Sequence, residues 1–504
     1  MLTRTFTAAI SGLTPIKIEV EIDSNRGTPN LIIIGLPTKA IEESKERITS
    51  ALINCGFRIR SRRTIVNLAP ADIRKSSPSF ELAIAVGMLQ MYGEIKIDTN
   101  QTIFFGELSL DGDLKPIKGA LPLIIAARSM GFKKVILPAA NMEEVSTISG
   151  INIHPLNHLK EYLSFAKNNQ PLPILAPKKF KIIKSHNSFL DFKDIYGQDS
   201  AKRALEIAAT GGHNVLLVGP PGAGKSILAK TMTSILPPLD EIEAIEVTTI
   251  YSIYSKKLTG LITKRPFRSP HHTASYAGLL GGGRKLRPGE VSLAHRGVLF
   301  LDEFTEFDKY TLESLRQPIE DKKITIVRAH GSISYPAAFT LIAAANPCAC
   351  GWHGSKQNVC RCSQFALDQY QNKFSGPLLD RIDLFIRVKA VDIDLLANSK
   401  DKQLSSKEMR NKVFAARKFQ GSFLKNLSCL SNSDLSTTHV KQEVKLSRQC
   451  KQLLKTAISR LSLTARGYFR LIRVAQTIAH LDQSHEIQKQ HLAEALQYRQ
   501  DSFV

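Results

Sequence analysis

No stretch of this chain is apolar over the roughly 18 residues that a membrane-spanning helix needs, so a helical span is not expected. The amino-terminal MLTRTFTAAISGLTPIKIEV lacks an apolar h-region and a small-residue cleavage site, and it does not read as a secretory leader. Cysteine is scarce, with seven in 504 residues, and unevenly placed. Cys348, Cys350, Cys360 and Cys362 crowd together, while Cys55, Cys429 and Cys450 are scattered. That is not the framework of a secreted disulfide-rich fold, and these absences together predict a soluble cytoplasmic protein with no membrane partner. No internal repeat marks a solenoid, and no sequence-specific DNA-reading module is visible. Acidic residues are also short: 45 Asp and Glu face 68 Lys and Arg, a formal net charge of +23. An excess of that size favours an acidic partner, nucleic acid before an anionic membrane. A solvated basic surface would have the same composition.

What is present is enough for several cores. A chain of 504 residues, 43% of them hydrophobic, predicts two or three globular domains rather than one. Residues 1–165 alternate strand-like runs (IKIEVEI, LIIIGL, RTIVNLA, IFFGELSL, KKVILP) with helical patterns at 39–57 and 122–132, an α/β arrangement. Residues 166–190 are rich in proline and lysine without a period, and they predict a linker. Residues 191–395 carry the motifs described next, and residues 396–504 read as mostly helical.

The sequence VLLVGPPGAGKS ends at Ser226. Its apolar run predicts a buried strand, followed by a loop of Gly219, Pro220, Pro221, Gly222, Ala223 and Gly224. Gly222 and Gly224 would let backbone N–H groups come close to phosphate oxygens. Lys225 is spaced to reach β- and γ-phosphates, Ser226 to ligate Mg²⁺, and the helix starting there turns its positive end toward the anion. A Gly/Pro turn can match by chance, but the strand–loop–helix context favours an ATP site. GVLFLDE (297–303) is a second buried strand with acids at its end, where open parallel sheets bind ligands. Asp302 would hold the metal's water shell and Glu303 would polarise the attacking water. FTLIAAANP places Asn346 at a third strand end, beside the γ-phosphate or simply at a turn before Pro347. Arg381 in SGPLLDRIDL and Arg466 in ARGYFRLIRVAQTIA are candidates for stabilising transition-state charge.

Phe192 to Ile478 resembles the magnesium-chelatase-like AAA+ ATPases, and more closely their ComM (YifB) branch. The strings that carry the resemblance are RPFRSPHHTASYAGLLGGGRKLRPGEVSLAHRGVLFLDEF, ESLRQPIED, AAANPCACG and SGPLLDRIDL. The resemblance implies an AAA+ P-loop core with a parallel sheet, a C-terminal helical lid, and a homo-hexameric ring with ATP sites between subunits. It also implies pore-facing hairpins and a DNA-translocating, branch-migrating helicase of natural transformation, acting on single-stranded and branched DNA with recombination proteins. In that frame Arg381 looks like the finger acting in trans and Arg466 like the sensor-two arginine. Magnesium chelation fits poorly. An AAA+ protein remodeller of the magnesium-chelatase/MoxR type is the competing function.

The amino-terminal domain resembles the proteolytic domain of Lon through ADIRKSSPSFELAIAVGML and GELSLDGDLKPIKGALPLIIAARSMGFKKVILP. Ser79 falls near the nucleophile's position, but Leu121 stands where a general-base Lys is needed, which implies a non-proteolytic domain. Two C-x-C pairs, Cys348/Cys350 and Cys360/Cys362, lie nine residues apart and could give four thiolates to one Zn²⁺, or could be reduced loop cysteines. His271 and His272 read as structural or DNA-proximal. Basic residues gather at Lys256, Lys257, Lys264, Arg265 and Arg268, and at Arg284, Lys285 and Arg287 beside Gly281–Gly283. The second group suits a mobile loop that grips phosphates without reading bases, although each alone reads equally as a solvated charge.

Overall fold

Period-two patterning builds the first sheet. In Thr14–Asn25 the residues Ile18, Val20 and Ile22 point to one side and are fully buried, while Glu19 and Glu21 stay partly exposed between them. The computed structural model describes residues 2–499, apart from 29, 37–38, 60–61, 72–77, 97–98, 169, 182–189, 256–257, 284–286, 329–330, 356–357, 375, 391–402, 428 and 462–463. These residues form two compact units.

The first unit takes in residues 1–182 and two later segments, 240–263 and 327–335. Its mixed seven-stranded sheet runs Asn30–Ile34, Arg63–Ala69, Thr14–Asn25, Thr3–Ser11, Thr102–Phe104, Lys134–Pro138, Asn152–Leu156. Helix Glu81–Met91 is apolar nearly all round and correspondingly buried. Its leading Glu81 is a buried carboxylate that accepts from Ser44 Oγ (2.5 Å), Arg47 Nη2 (2.5 Å) and the Leu108 N–H (2.7 Å), which offsets its desolvation.

The later segments are added by tertiary contacts. Helix Glu241–Tyr254 starts with a reciprocal Asp240/Glu243 capping box. Ser252 Oγ donates to Glu144, the Gly119 N–H donates to the Ser252 carbonyl at 3.0 Å, and Lys118 Nζ donates to the Tyr254 carbonyl at 2.9 Å. Burial raises the Glu144 carboxyl above the usual range, partly offset by hydrogen bonds from Ser252, the Leu121 N–H and Asn141. Part of the proline- and lysine-rich stretch is pinned rather than free. Leu175 and Lys178 donate their N–H groups to Ile153 and Ser146, and Lys178 Nζ pairs with Glu143 at 2.9 Å.

The second unit holds 183–239, 264–326 and 336–504. Its five-stranded sheet is parallel throughout, in the order Phe267–Arg268, Val298–Leu301, Thr340–Ala345, Val215–Val218, Leu384–Arg387. Such strands are covered on both faces, so they read as unbroken apolar runs: all four residues of Val298–Leu301 are buried. The carboxyl ends of Val215–Val218, Val298–Leu301 and Thr340–Ala345 share one edge, the position at which open α/β sheets bind ligands. Helices Ser406–Leu424, Thr437–Glu443, Arg448–Leu461, Ala465–Leu481 and Lys489–Gln497 follow the sheet. Ser405 caps the first with Glu408 as its reciprocal partner, and Thr464 caps the fourth. Leu471, Ile472, Val474, Ala475 and Ile478 pack the fourth helix into the same core as Leu205, Leu228 and Val215. Among the described residues no helix is long and apolar enough to cross a membrane.

Candidate active site

The strand Val215–Val218 hands the chain to a loop whose backbone only glycine adopts readily. Gly222 and Gly224 have φ of +75° and +86°, and nothing lies within 4 Å of where their Cβ atoms would stand. A side chain there would therefore strain the backbone, and both glycines line the space the loop surrounds. Helix Lys225–Met232 begins directly after Gly224, so its unpaired N–H groups and positive dipole end face the same space. That space is a cavity of about 550 Å³, lined in part by residues 221–227, Asp302, Glu303, Asn346 and Cys348. Small-molecule sites span roughly 300–1,000 Å³.

Inside it, Lys225 Nζ donates to the Gly219 carbonyl (2.7 Å), the Pro220 carbonyl (2.9 Å) and Asn346 Oδ1 (3.0 Å). Burial holds the ammonium's pKa below the usual lysine value, and the Asp302 carboxylate pulls it back up. Ser226 Oγ donates to Asp302 Oδ2 at 2.6 Å, so a hydroxyl from a helix start and a carboxylate from a strand end meet at one point. Glu303 follows with φ +50°, a left-handed conformation uncommon outside glycine, and its N–H donates to Asp302 Oδ1 at 3.0 Å. Five residues picked out in the sequence (Lys225, Ser226, Asp302, Glu303 and Asn346) thus line one cavity.

Arg381 and Arg466 do not line it. Arg381 Nη2 is paired with Glu320 at 2.6 Å, Nη1 donates to the Pro377 carbonyl, and the side chain is only 8% exposed. Arg466 is exposed in the first turn of its helix. Arg265 donates to the Pro237 and Arg296 carbonyls, and Arg268 forms a two-pronged pair with Glu290 at 2.6 Å, so both are engaged in holding the fold. Arg287 is exposed on the short hairpin of Gly281–Gly282 and Arg287–Pro288. Arg284 and Lys285, with Lys256 and Lys257, lie outside the described residues.

The four clustered cysteines converge. Their sulfurs all lie within 4.8 Å of one another, and Cys348 Sγ is 3.3 Å from Cys350 Sγ and 3.8 Å from Cys360 Sγ. Tetrahedral Zn–S bonds of about 2.3 Å place sulfurs about 3.8 Å apart, so the donor set fits zinc. The His353 N–H donates to Cys348 Sγ at 3.3 Å, and backbone N–H groups of Trp352 and Arg361 lower the Cys350 thiol to about 6. The same loop abuts the phosphate loop: a Cβ on Gly351 would come within 2.6 Å of Pro221 Cδ. Beyond the cluster, Tyr370 Oη meets Thr305 Oγ1 at 2.8 Å, just past Glu303. Sequence reasoning missed this buttress, because contacts between separate loops leave no mark in local spacing.

It also missed His272 as a neighbour of the site. His272 Nδ1 lies 3.1 Å from Glu303 Oε2, so the paired histidines of SPHHT stand beside the acid pair. No local spacing signals this neighbour: the parallel pairing of Phe267–Arg268 with Val298–Leu301, a tertiary contact, carries both segments toward the same edge.

A parallel α/β core with a glycine loop after one strand, an Asp-Glu pair after the next, an Asn after the third and a following helical region defines a P-loop ATPase of the AAA+ type. Family models described as "Magnesium chelatase, subunit ChlI", "Subunit ChlI of Mg-chelatase" and "Magnesium chelatase, subunit ChlI C-terminal" match residues 191–396, 20–141 and 403–499. The chain is 38% identical to the competence protein ComM of Haemophilus influenzae over 498 residues, covering 98% of this chain and 96% of that protein. It is 37% identical to the protein YifB of Escherichia coli over 497 residues, with the same coverage of each. A shorter likeness, 31% over 172 residues, reaches Lon protease 2 of Bacillus subtilis and covers 32% of this chain and 31% of that one. The chain belongs to the ComM/YifB family of AAA+ ATPases, which is related to the ChlI subunit of magnesium chelatase.

Proposed function

We propose that this chain is the subunit of a cytoplasmic homo-hexameric ATPase that moves on single-stranded and branched DNA and drives branch migration, in the setting the name of its competence-protein relative suggests. The observation that carries the ATPase half is the cavity in which Lys225, Ser226, Asp302, Glu303 and Asn346 converge. Lys225 would exchange its loop carbonyls for β- and γ-phosphate oxygens, and Asn346, now bonded to Lys225, would be released to orient water. Ser226 and Asp302 would hold Mg²⁺, which supplies charge neutralisation on the phosphates. Glu303 would polarise the water. Arg381 and Arg466 lie outside the cavity; Arg381 would act as the finger on a neighbouring subunit's site, and Arg466 as the sensor-two arginine, in cis or in trans.

The DNA half rests on the +23 net charge, the exposed Arg287 hairpin and the ComM likeness. Single-stranded or forked DNA should raise the ATPase rate, and binding should weaken steeply with salt because phosphate contacts release counterions, with a log–log slope of about −0.7 per contact on single strands. Replacing Arg284, Lys285 and Arg287 together with Ala should remove that stimulation. A chain that hydrolyses ATP, ignores all DNA at low salt and responds to a protein substrate would be a remodeller of the MoxR type instead.

Zn²⁺ in the four-cysteine site would fold the loop after Asn346 against Pro221, since four thiolates leave no open position for chemistry. Elemental analysis of freshly reduced protein should find about one zinc per chain, and thiol-reactive reagents should release it. Finding none would remove the site. For the amino-terminal unit we propose a Lon-like scaffold without protease activity: Leu121 is fully buried and Ser79 nearly so, and Lys118 is bonded to the Tyr254 carbonyl.

A further inference from the structure

We infer that Arg470 is the positioning residue for Arg381: it fixes the turn from which that arginine would reach a neighbouring subunit's ATP, and ties the turn to the helix that carries Arg466. This rests on the reading of Arg381 as a finger acting in trans. The Arg381 side chain cannot supply the direction by itself, because its pair with Glu320 has to open before it reaches a neighbour. Among the described residues its buried Nε has no hydrogen-bond partner, so one donor is unspent in the paired state. What remains to aim the guanidinium is the backbone of residues 379–383, and that backbone is gripped from two sides. From the sheet, Asn214, directly before the strand Val215–Val218, donates its side-chain amide to the Arg381 carbonyl at 2.9 Å and its N–H to Asp383 Oδ2 at 3.2 Å. From the helix Ala465–Leu481, Arg470 Nη1 donates to the Ile382 carbonyl at 2.6 Å and to the Leu379 carbonyl at 3.2 Å, bracketing Arg381. Leu379 ends the short helix Gly376–Leu379, where carbonyls lack helical partners and a cation is favoured. Asp383 keeps its charge beside Arg470: burial opposes it, but the hydrogen bond from His213 and the charges of His213, Arg470 and Arg473 hold the carboxyl below the usual range. Hydrogen bonds from a cation are about twice as strong as neutral ones, enough to hold a turn. Arg466 lies four residues before Arg470, one turn along the same helix face. A shift of that helix would therefore carry the Arg381 turn with it.

The test uses Arg470→Met, which keeps most of the stem and loses the donors, and Arg470→Lys, which keeps the charge beside Asp383. With Arg470→Met the ATPase kcat should fall about tenfold, the loss expected for one charged hydrogen bond, while ATP affinity stays within about twofold. Arg470→Lys should lose less. The deciding measurement is mixing. Lys225→Ala subunits, inactive by themselves but with an intact Arg381 turn, should raise the turnover per Arg470→Met subunit several-fold, because the neighbour then supplies a properly held arginine. A residue needed only for its own fold or its own nucleotide pocket is not rescued in this way. If Arg470→Met melts early, Arg470→Lys takes its place in the mixture. Arg381→Ala mixed with Lys225→Ala is the control. Rescue of Arg381→Ala but not of the Arg470 variant, a wild-type rate in Arg470→Met, or a parallel loss of ATP affinity would overturn the assignment and leave the finger reading intact. No rescue in either mixture would overturn the finger acting in trans, and this inference with it.

Discussion

Lys225→Ala is expected to remove ATP binding, whereas Glu303→Gln should bind ATP as well as the wild type and hydrolyse almost none. The two residues line the same cavity but would act at different stages. Lys225 would bring a half-buried ammonium to the phosphates, and its carbonyl partners show that the charge is held within the loop itself. Losing two charge-assisted hydrogen bonds costs about 3 kcal/mol or more, roughly a hundredfold in affinity. The chain should keep its fold, because the Gly219 and Pro220 carbonyls freed by the substitution can take water from the open cavity. Glu303→Gln keeps size and shape and loses only the charge that would polarise water. Titration with a fluorescent ATP analogue separates the two, and equal affinity in Lys225→Ala and wild type would refute the placement of the phosphates.

Arg381→Ala should leave ATP affinity within about twofold and lower hydrolysis by on the order of 10³-fold, the range over which an arginine finger acts. The structure adds a condition. The guanidinium is paired with Glu320 at 2.6 Å and its side chain is 8% exposed, so contact with a neighbour's γ-phosphate requires that pair to open. Glu320 is half exposed, and a pair open to water on one side is weakly held. Glu320→Gln should therefore preserve or raise hydrolysis, the opposite of what Arg381→Ala does. Mixing Arg381→Ala with Lys225→Ala subunits should restore part of the activity, since each supplies the half of a shared site that the other lacks. Absence of rescue, with both variants folded by thermal melting, would place the arginine's action within its own subunit or nowhere in catalysis.

The sequence by itself determined the parts whose physics is local. A phosphate loop needs glycine where φ is positive, a lysine at the next helix start and an apolar strand before it, and all three are contiguous in VLLVGPPGAGKS. Buried parallel strands are apolar throughout, so the strands ending in Asp302 and Asn346 announce themselves, and their acids and amide fall at the carboxyl ends. The thiol cluster is legible for the same reason, since its ligands lie within fifteen residues. What only the tertiary structure decided depends on pairs distant in the chain. Arg268 reads as a free charge until Glu290 is found beside it, and Arg381 as an available finger until Glu320 is. Helix Glu241–Tyr254 lies between two motifs of the ATP site in sequence but belongs to the amino-terminal unit, through Ser252 on Glu144 and Gly119. His272 meets Glu303 because two strands run side by side in parallel, a pairing fixed by the burial of whole faces rather than by any local preference.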